Sequence, residues 1–295
     1  MKIGIVGPGA LGTFLAGSLS EGNDVLLLGK RERTIDDIEI SGKTELKTTV
    51  RYTVEPSELR DRELTILCTK SYDTRQAMEV IAPYIDAYVL SLQNGLKNEE
   101  IILDSIPDDK VIGGITSHGF LYVGSGKVIH TGKGKTVIGV YPEGMDDDLK
   151  KIRDVLNFAG LNVELTDNIK GHIWKKVIVN SGINPITALT GLKNGEILKR
   201  KYLKNLLEQV CSESAAIART EVTLPGGDPV KEAEQVAEST ADNRSSMLQD
   251  IEHERKTEID CINGAVIEVG KNKGLDTHYN TILYELVKAR EYSYL

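Results

Sequence analysis

The chain has 295 residues, 40% of them hydrophobic and 27% charged, with a formal net charge of −8. That length suffices for two ordinary domains with a core each, and the composition is that of a globular protein. The acidic balance argues against a general nucleic-acid or membrane-surface binder, since both need a basic footprint, but it leaves room for a small anion in a local basic pocket.

Residues 3–6 predict a short buried strand, followed by Gly7-Pro8-Gly9-Ala10-Leu11-Gly12, a helical run over 11–21 and a second strand over 25–28. This is GxGxxG between a strand and a helix inside a βαβ unit. Gly7 permits the tight turn, Gly9 lets the backbone approach a pyrophosphate, and Gly12 lets helix and strand pack closely. The helix N-terminus then offers free N–H groups to the phosphates. Gly7, Pro8, Gly9, Ala10, Leu11 and Gly12 are thus the expected dinucleotide-binding loop.

The second strand runs into Gly29-Lys30-Arg31-Glu32-Arg33. Three cations beside the adenosine ribose suit a 2′-phosphate, which favours NADP. Glu32 lies about 20 residues past the fingerprint and keeps NAD open.

Two near-continuous apolar runs follow, at 63–69 and 87–92, as expected of parallel strands buried on both faces. Lys70 and Asn94 come just after them, outside the carboxyl ends where ligands of such sheets bind. Residues 110–140 read as β-rich, 146–160 as an amphipathic helix and 161–166 as a last short strand. Helical periodicity then marks 169–190, 199–221, 229–241 and 277–292, with 245–270 as one helix or two joined near Glu254. The expected fold is α/β: a Rossmann domain over 1–166 and an all-helical domain over 167–295, with the substrate in the cleft between them.

Cys68, Cys211 and Cys261 are far apart and form no CxxC pair, so they read as free thiols of a reducing cytoplasm. The five histidines show no metal-ligand spacing, and no metal is expected. No signal-peptide pattern opens the chain, and no run of about 18 apolar residues exists to span a membrane.

Hydride transfer to a carbonyl needs a proton donor, groups that hold the substrate and exclusion of water. No histidine with an acidic partner is evident, which weakens a lactate-type reading. The stretch WKKVIVNSGINP (174–185) instead places Lys176, Asn180 and Asn184 four residues apart among apolar neighbours. Four residues turn a helix by about 400°, so the three polar groups share a stripe about 80° wide. A desolvated lysine there would titrate nearer neutrality and serve as general acid, with the asparagines bonding the substrate. A snorkelling lysine above a structural asparagine network is the plain alternative. Lys175, about 100° away, reads as surface. Pro185 removes the N–H that would bond the Ser181 carbonyl, and a kink is expected there. In the second candidate stretch Ser246 and Asp250 are four apart, with Glu258 two turns on; a solvated helix face is the alternative.

These residues resemble the ketopantoate reductase (2-dehydropantoate 2-reductase) family. The motifs are GPGALG (7–12), TKSYD (69–73), QNG (93–95), WKKVIVNSGINPITAL (174–189) and SSMLQD…TEIDCING (245–264). The resemblance runs nearly end to end. It implies a helical second domain of the 6-phosphogluconate dehydrogenase C-terminal type and NADPH-dependent reduction of 2-dehydropantoate to pantoate, on the route to pantothenate and coenzyme A. By it, Lys176 is the general acid and Glu258 binds the substrate hydroxyl and touches the cofactor. Asn180 and Asn184 hold the substrate, and Ser246 meets its carboxylate. Asn94 bridges cofactor and substrate, Lys70 lies near the nicotinamide, and Arg31, beside Lys30, meets the adenosine phosphate. Two features depart from the family: a short stretch after the second strand, and Glu254 where glycine is common. The expected partner is a small keto acid, with no nucleic acid and no membrane; a homodimer stays open. Another hydroxy-acid dehydrogenase of this architecture, or a redox sensor without turnover, are the competing readings.

Overall fold

The computed structural model describes residues 1–32 and 37–295. The chain divides into two compact units, Met1–Gln93 with Asn98–Lys170, and Asn94–Lys97 with Gly171–Leu295.

The strands of the first unit, in chain order, are β1 (Lys2–Val6), β2 (Asp24–Leu28), β3 (Asp37–Gly42), β4 (Leu46–Thr49), β5 (Arg51–Thr53), β6 (Leu64–Leu67), β7 (Tyr88–Ser91), β8 (Val111–Thr116), β9 (Gly119–Gly124), β10 (Lys127–Gly132), β11 (Thr136–Val140) and β12 (Val163–Leu165). Eight of them form one sheet in the order β12-β11-β8-β7-β6-β1-β2-β5, parallel except where β11 meets β8. The buried runs read from the sequence, such as Ile3–Val6 and Leu64–Leu67, are its central strands, covered on both faces. Helix α1 (Ala10–Leu19) crosses from β1 to β2, as the glycine fingerprint requires.

A second sheet, β4-β3-β10-β9, was not anticipated. Its strand β3 alternates buried and exposed residues and pairs in parallel with β10, some 90 positions further along the chain. The sheet covers α1: a Cβ on Gly17 would lie 2.9 Å from the Ile38 side chain, and the Phe14 and Phe120 rings meet at a tilt with centroids 4.6 Å apart.

Three further helices of this unit are α2 (Thr74–Ile81), α3 (Asn98–Leu103) and α4 (Asp148–Phe158). The helix α5 (Ile169–Thr190) has all but its first two residues in the second unit, with α6 (Lys201–Ala218), α7 (Pro229–Ser239), α8 (Ser246–Glu252), α9 (Ala265–Asn272) and α10 (His278–Glu291). Ile178, Val210, Ile217, Val266 and Val287 are fully buried in it. The α5 helix runs unbroken through Pro185. Among the described residues no helix is long and apolar enough to cross a membrane.

The stretch 245–270 is two helices, jointed as expected near Glu254. After α8 the Arg255 N–H bonds the Asp250 carbonyl at 2.8 Å, and the Glu254 N–H bonds that of Ile251 at 3.1 Å. This is a Schellman stop, and Glu254 occupies its left-handed position with φ +53°. A side chain there costs about 1–2 kcal/mol, which glycine avoids. Glu254→Gly should therefore raise Tm by roughly 2 °C, less the entropy that glycine adds to the unfolded chain. A lower Tm in a thermal melt would contradict this account of the joint.

Candidate active site

In the first unit the loop after β1 turns at Gly7, whose φ of +107° suits glycine; a Cβ there would lie 2.8 Å from the Thr69 backbone nitrogen. A Cβ on Gly12 would fall 2.0 Å from the Gly7 carbonyl oxygen, so α1 can approach β1 only with glycine at that position. Gly9 caps α1 with no side chain, and a Cβ on it would meet nothing within 4 Å. Pro8, Gly9, Ala10 and Leu11 are half-buried or exposed. The loop thus presents unblocked N–H groups to open space, which is the cradle a pyrophosphate requires.

At the end of β2 the Lys30 ammonium donates to Asp73 and to Gln76, each at 3.0 Å. Its charge is already partly matched. Arg31 is exposed, and its carbonyl accepts from the Tyr52 hydroxyl at 2.6 Å. Tyr52, which no local pattern marks in the sequence, thereby fixes this turn. Arg33 lies outside the described residues.

Lys70 follows β6 and is half-buried. Its neighbour Thr69 is held by Gln93, whose Nε2 donates to the Thr69 carbonyl and hydroxyl at 3.0 Å and to Thr74 Oγ1 at 2.8 Å. Gln93 is a second positioning group missed in the sequence; its place in QNG, beside Asn94, was the available signal.

In the second unit Asn94 Nδ2 donates to Glu258 Oε2 at 3.1 Å. These residues are 164 positions apart, and the backbone brings them together: the Leu96 N–H bonds the Cys261 carbonyl at 2.9 Å. Glu258 is 5% exposed. Lys176 is half-buried on α5; burial pushes its ammonium down to about 8, and the nearby Glu258 charge works in the opposite sense. Asn180 is half-buried and Asn184 is buried, further along the same helix.

Ser246 is exposed at the start of α8. The serine before it is structural: Ser245 Oγ caps α8 by accepting from the Leu248 N–H at 3.1 Å, and it also accepts from Thr187 at 2.7 Å. Asp250 is buried and pairs with Arg255 at 3.4 Å across the Glu254 joint. Lys175 corrects the expectation of a plain surface residue, because its side chain is 18% exposed and ion-paired with Glu232.

Other chemistries find little support. His118 Nδ1 and His130 Nε2 lie 3.1 Å apart, with the Leu161 carbonyl and Thr44 hydroxyl as their outer partners rather than a carboxylate. Burial lowers the pKa of both. The three cysteines are free, and burial raises Cys211 to about 12 and Cys261 to about 11. Neither is a thiolate nucleophile near neutrality.

A family model described as Ketopantoate reductase PanE/ApbA matches residues 3–143, and its C-terminal companion matches residues 168–291. The 2-dehydropantoate 2-reductase of Pyrococcus horikoshii is 41% identical, over 99% of this chain and 98% of the relative. A ketopantoate reductase structure from Ralstonia eutropha superposes with a TM-score of 0.91 at 28% identity, covering 99% of each chain. D-mandelate dehydrogenase, solved with NADH and anilino(oxo)acetate, superposes with a TM-score of 0.92 at 30% identity, again covering 99% of each.

Proposed function

This chain belongs to the ketopantoate reductase family, and we propose that it reduces 2-dehydropantoate to pantoate with NADPH, for pantothenate and coenzyme A synthesis in the cytoplasm. In this reading residues 1–166 bind the cofactor and 167–295 bind the substrate and supply the catalytic groups. The observation that carries it is the setting of Lys176: an ammonium brought down to about 8, on the helix that bears Asn180 and Asn184, within reach of the Glu258 charge.

A bound nicotinamide dinucleotide supplies the hydride. The 7–12 loop would hold its pyrophosphate, with Lys30 and Arg31 to meet the adenosine end and Lys70 to meet the nicotinamide end. Lys176 passes a proton from Nζ to the ketone oxygen as the carbon is reduced. Glu258 accepts from the substrate hydroxyl, and Asn94 holds that carboxylate in place. Asn180 and Asn184 bond the substrate oxygens, and Ser246 donates to its carboxylate. Burial around Lys176 limits water, which strengthens each of these contacts.

The likeness to D-mandelate dehydrogenase supports a second reading, an NADH-dependent reductase of another 2-keto acid. One panel separates the two: oxidation of NADPH and of NADH with 2-dehydropantoate and with an aryl 2-keto acid. Turnover of the aryl acid alone would overturn the assignment. For the cofactor, Arg31→Ala should raise KM for NADPH about ten-fold and KM for NADH by less than about two-fold, as loss of one charge-assisted phosphate contact implies. Equal effects on both would remove the case for NADPH.

A further inference from the structure

Asn263 lies in the π-helical turn Asp260–Gly264 that leads into α9, and it is fully buried. Its partner is set by a defect in α5. Pro185 has no N–H, so the Ser181 carbonyl lacks its helical donor. Asn263 Nδ2 takes that place, 2.9 Å from Ser181 O. The neighbours orient the amide, because a carbonyl can only accept. The second Nδ2 hydrogen goes to Asn280 Oδ1 at 2.9 Å, and Asn280 Nδ2 donates in turn to Glu213 at 2.8 Å and Ser214 at 3.0 Å. The missing rung, from Ser181 to Pro185, is offset by one residue from the Asn180–Asn184 pair, and Asn263 is five residues past Glu258. One carboxamide therefore ties the segment that carries Glu258 to the stretch of helix that carries both asparagines.

We infer that Asn263 is a positioning residue for the keto acid: by replacing the hydrogen bond that Pro185 removes, it sets the placement of Glu258 against the Asn180–Asn184 stripe. This rests on the reading of those residues as the substrate-holding groups. Asn263 touches no substrate itself. Its effect runs through geometry, where a displacement of about 1 Å is enough to cost large factors.

The test is a double-mutant cycle on the full chain: wild type, Asn263→Ala, Pro185→Ala and the pair, each measured for kcat, both KM values and Tm. Pro185→Ala returns an N–H that bonds Ser181 O within the helix and so releases it from Asn263, and this variant alone should already raise KM for the keto acid because the tie is lost. Asn263→Ala should raise KM for the keto acid about ten-fold in the native background and only about two-fold beside Pro185→Ala. KM for the reduced cofactor should stay within about two-fold throughout. A purely structural role predicts less active protein instead, with lower kcat and unchanged KM. Equal effects of Asn263→Ala in the two backgrounds, or equal shifts in both KM values, would overturn the inference. Where Asn263→Ala is too unstable to purify, Asn263→Leu, which keeps the volume and removes the donor, enters the cycle under the same criteria. The keto acid used is whichever of the panel the wild type reduces, so failure of 2-dehydropantoate overturns the assigned substrate and leaves the cycle readable.

Discussion

Replacing Lys176 with alanine lowers kcat for 2-dehydropantoate reduction by roughly two to four orders of magnitude, the range for a lost general acid. The acid must be protonated to act. Burial holds its pKa down at about 8, so wild-type reduction should fall as pH rises through that value. Oxidation of pantoate, which needs the neutral amine, should rise over the same interval. Both limbs should vanish in Lys176→Ala. A stability control separates chemistry from folding. The folded pKa lies below the unfolded 10.5, so the unfolded state binds more protons between about pH 8 and 10.5, and wild-type stability gains with pH across that window. Below it the cost of the buried charge is fully present. Lys176→Met keeps the apolar stem and removes that pH dependence, so it should be at least as stable as wild type at neutral pH while remaining inactive. Near-normal turnover in either variant would end the role assigned to Lys176.

The stripe was legible because α5 is a local object. Its residues Ile169–Thr190 carry an uninterrupted helical pattern, and Gly191, with φ +70°, marks where it stops. The same holds for the 7–12 loop, where three glycines encode a geometry without help from elsewhere. What was not legible depends on distant partners. The strand β3 looked unassigned because β10, its parallel neighbour, comes so much later in the chain. Spacing placed Asn94 only at a strand end; its bond to Glu258 needs the Leu96–Cys261 contact, which no local pattern reports. Lys175 read as surface because its partner Glu232 sits on α7. Asn263 lies within the TEIDCING motif but shows no role there, since its partner is the carbonyl left without a helical donor by Pro185. Side-chain chemistry suggests Ser246 as a donor to a carboxylate and Glu258 as an acceptor from a hydroxyl, and the resemblance then assigns them those roles. Spacing showed a polar face, and a solvated helix would look the same.

The fingerprint glycines make the other large prediction, because Gly12 and Gly9 should fail in different ways. Gly12→Ala puts a methyl 2.0 Å from the Gly7 carbonyl oxygen. Gly7 cannot retreat, since its own Cα already faces the Thr69 nitrogen at a distance where a Cβ would sit at 2.8 Å. The helix must tilt off the sheet, at a cost on the order of 3 kcal/mol for an overpacked core, and its N-terminal N–H groups lose their aim. Two charge-assisted hydrogen bonds at about 1.5–3 kcal/mol each correspond to a cofactor Kd weakened by roughly 10² to 10⁴. Gly9→Ala meets nothing within 4 Å in the free protein, so it should fold with an unchanged Tm. Its methyl nonetheless occupies the space through which the pyrophosphate approaches, and cofactor affinity should fall by at least about ten-fold. Fluorescence titration with NADPH and a thermal melt on both variants decide the matter. Wild-type affinity in Gly9→Ala would mean that the phosphates do not pass over this turn, and an unchanged Tm in Gly12→Ala would mean that the helix can yield without leaving the sheet.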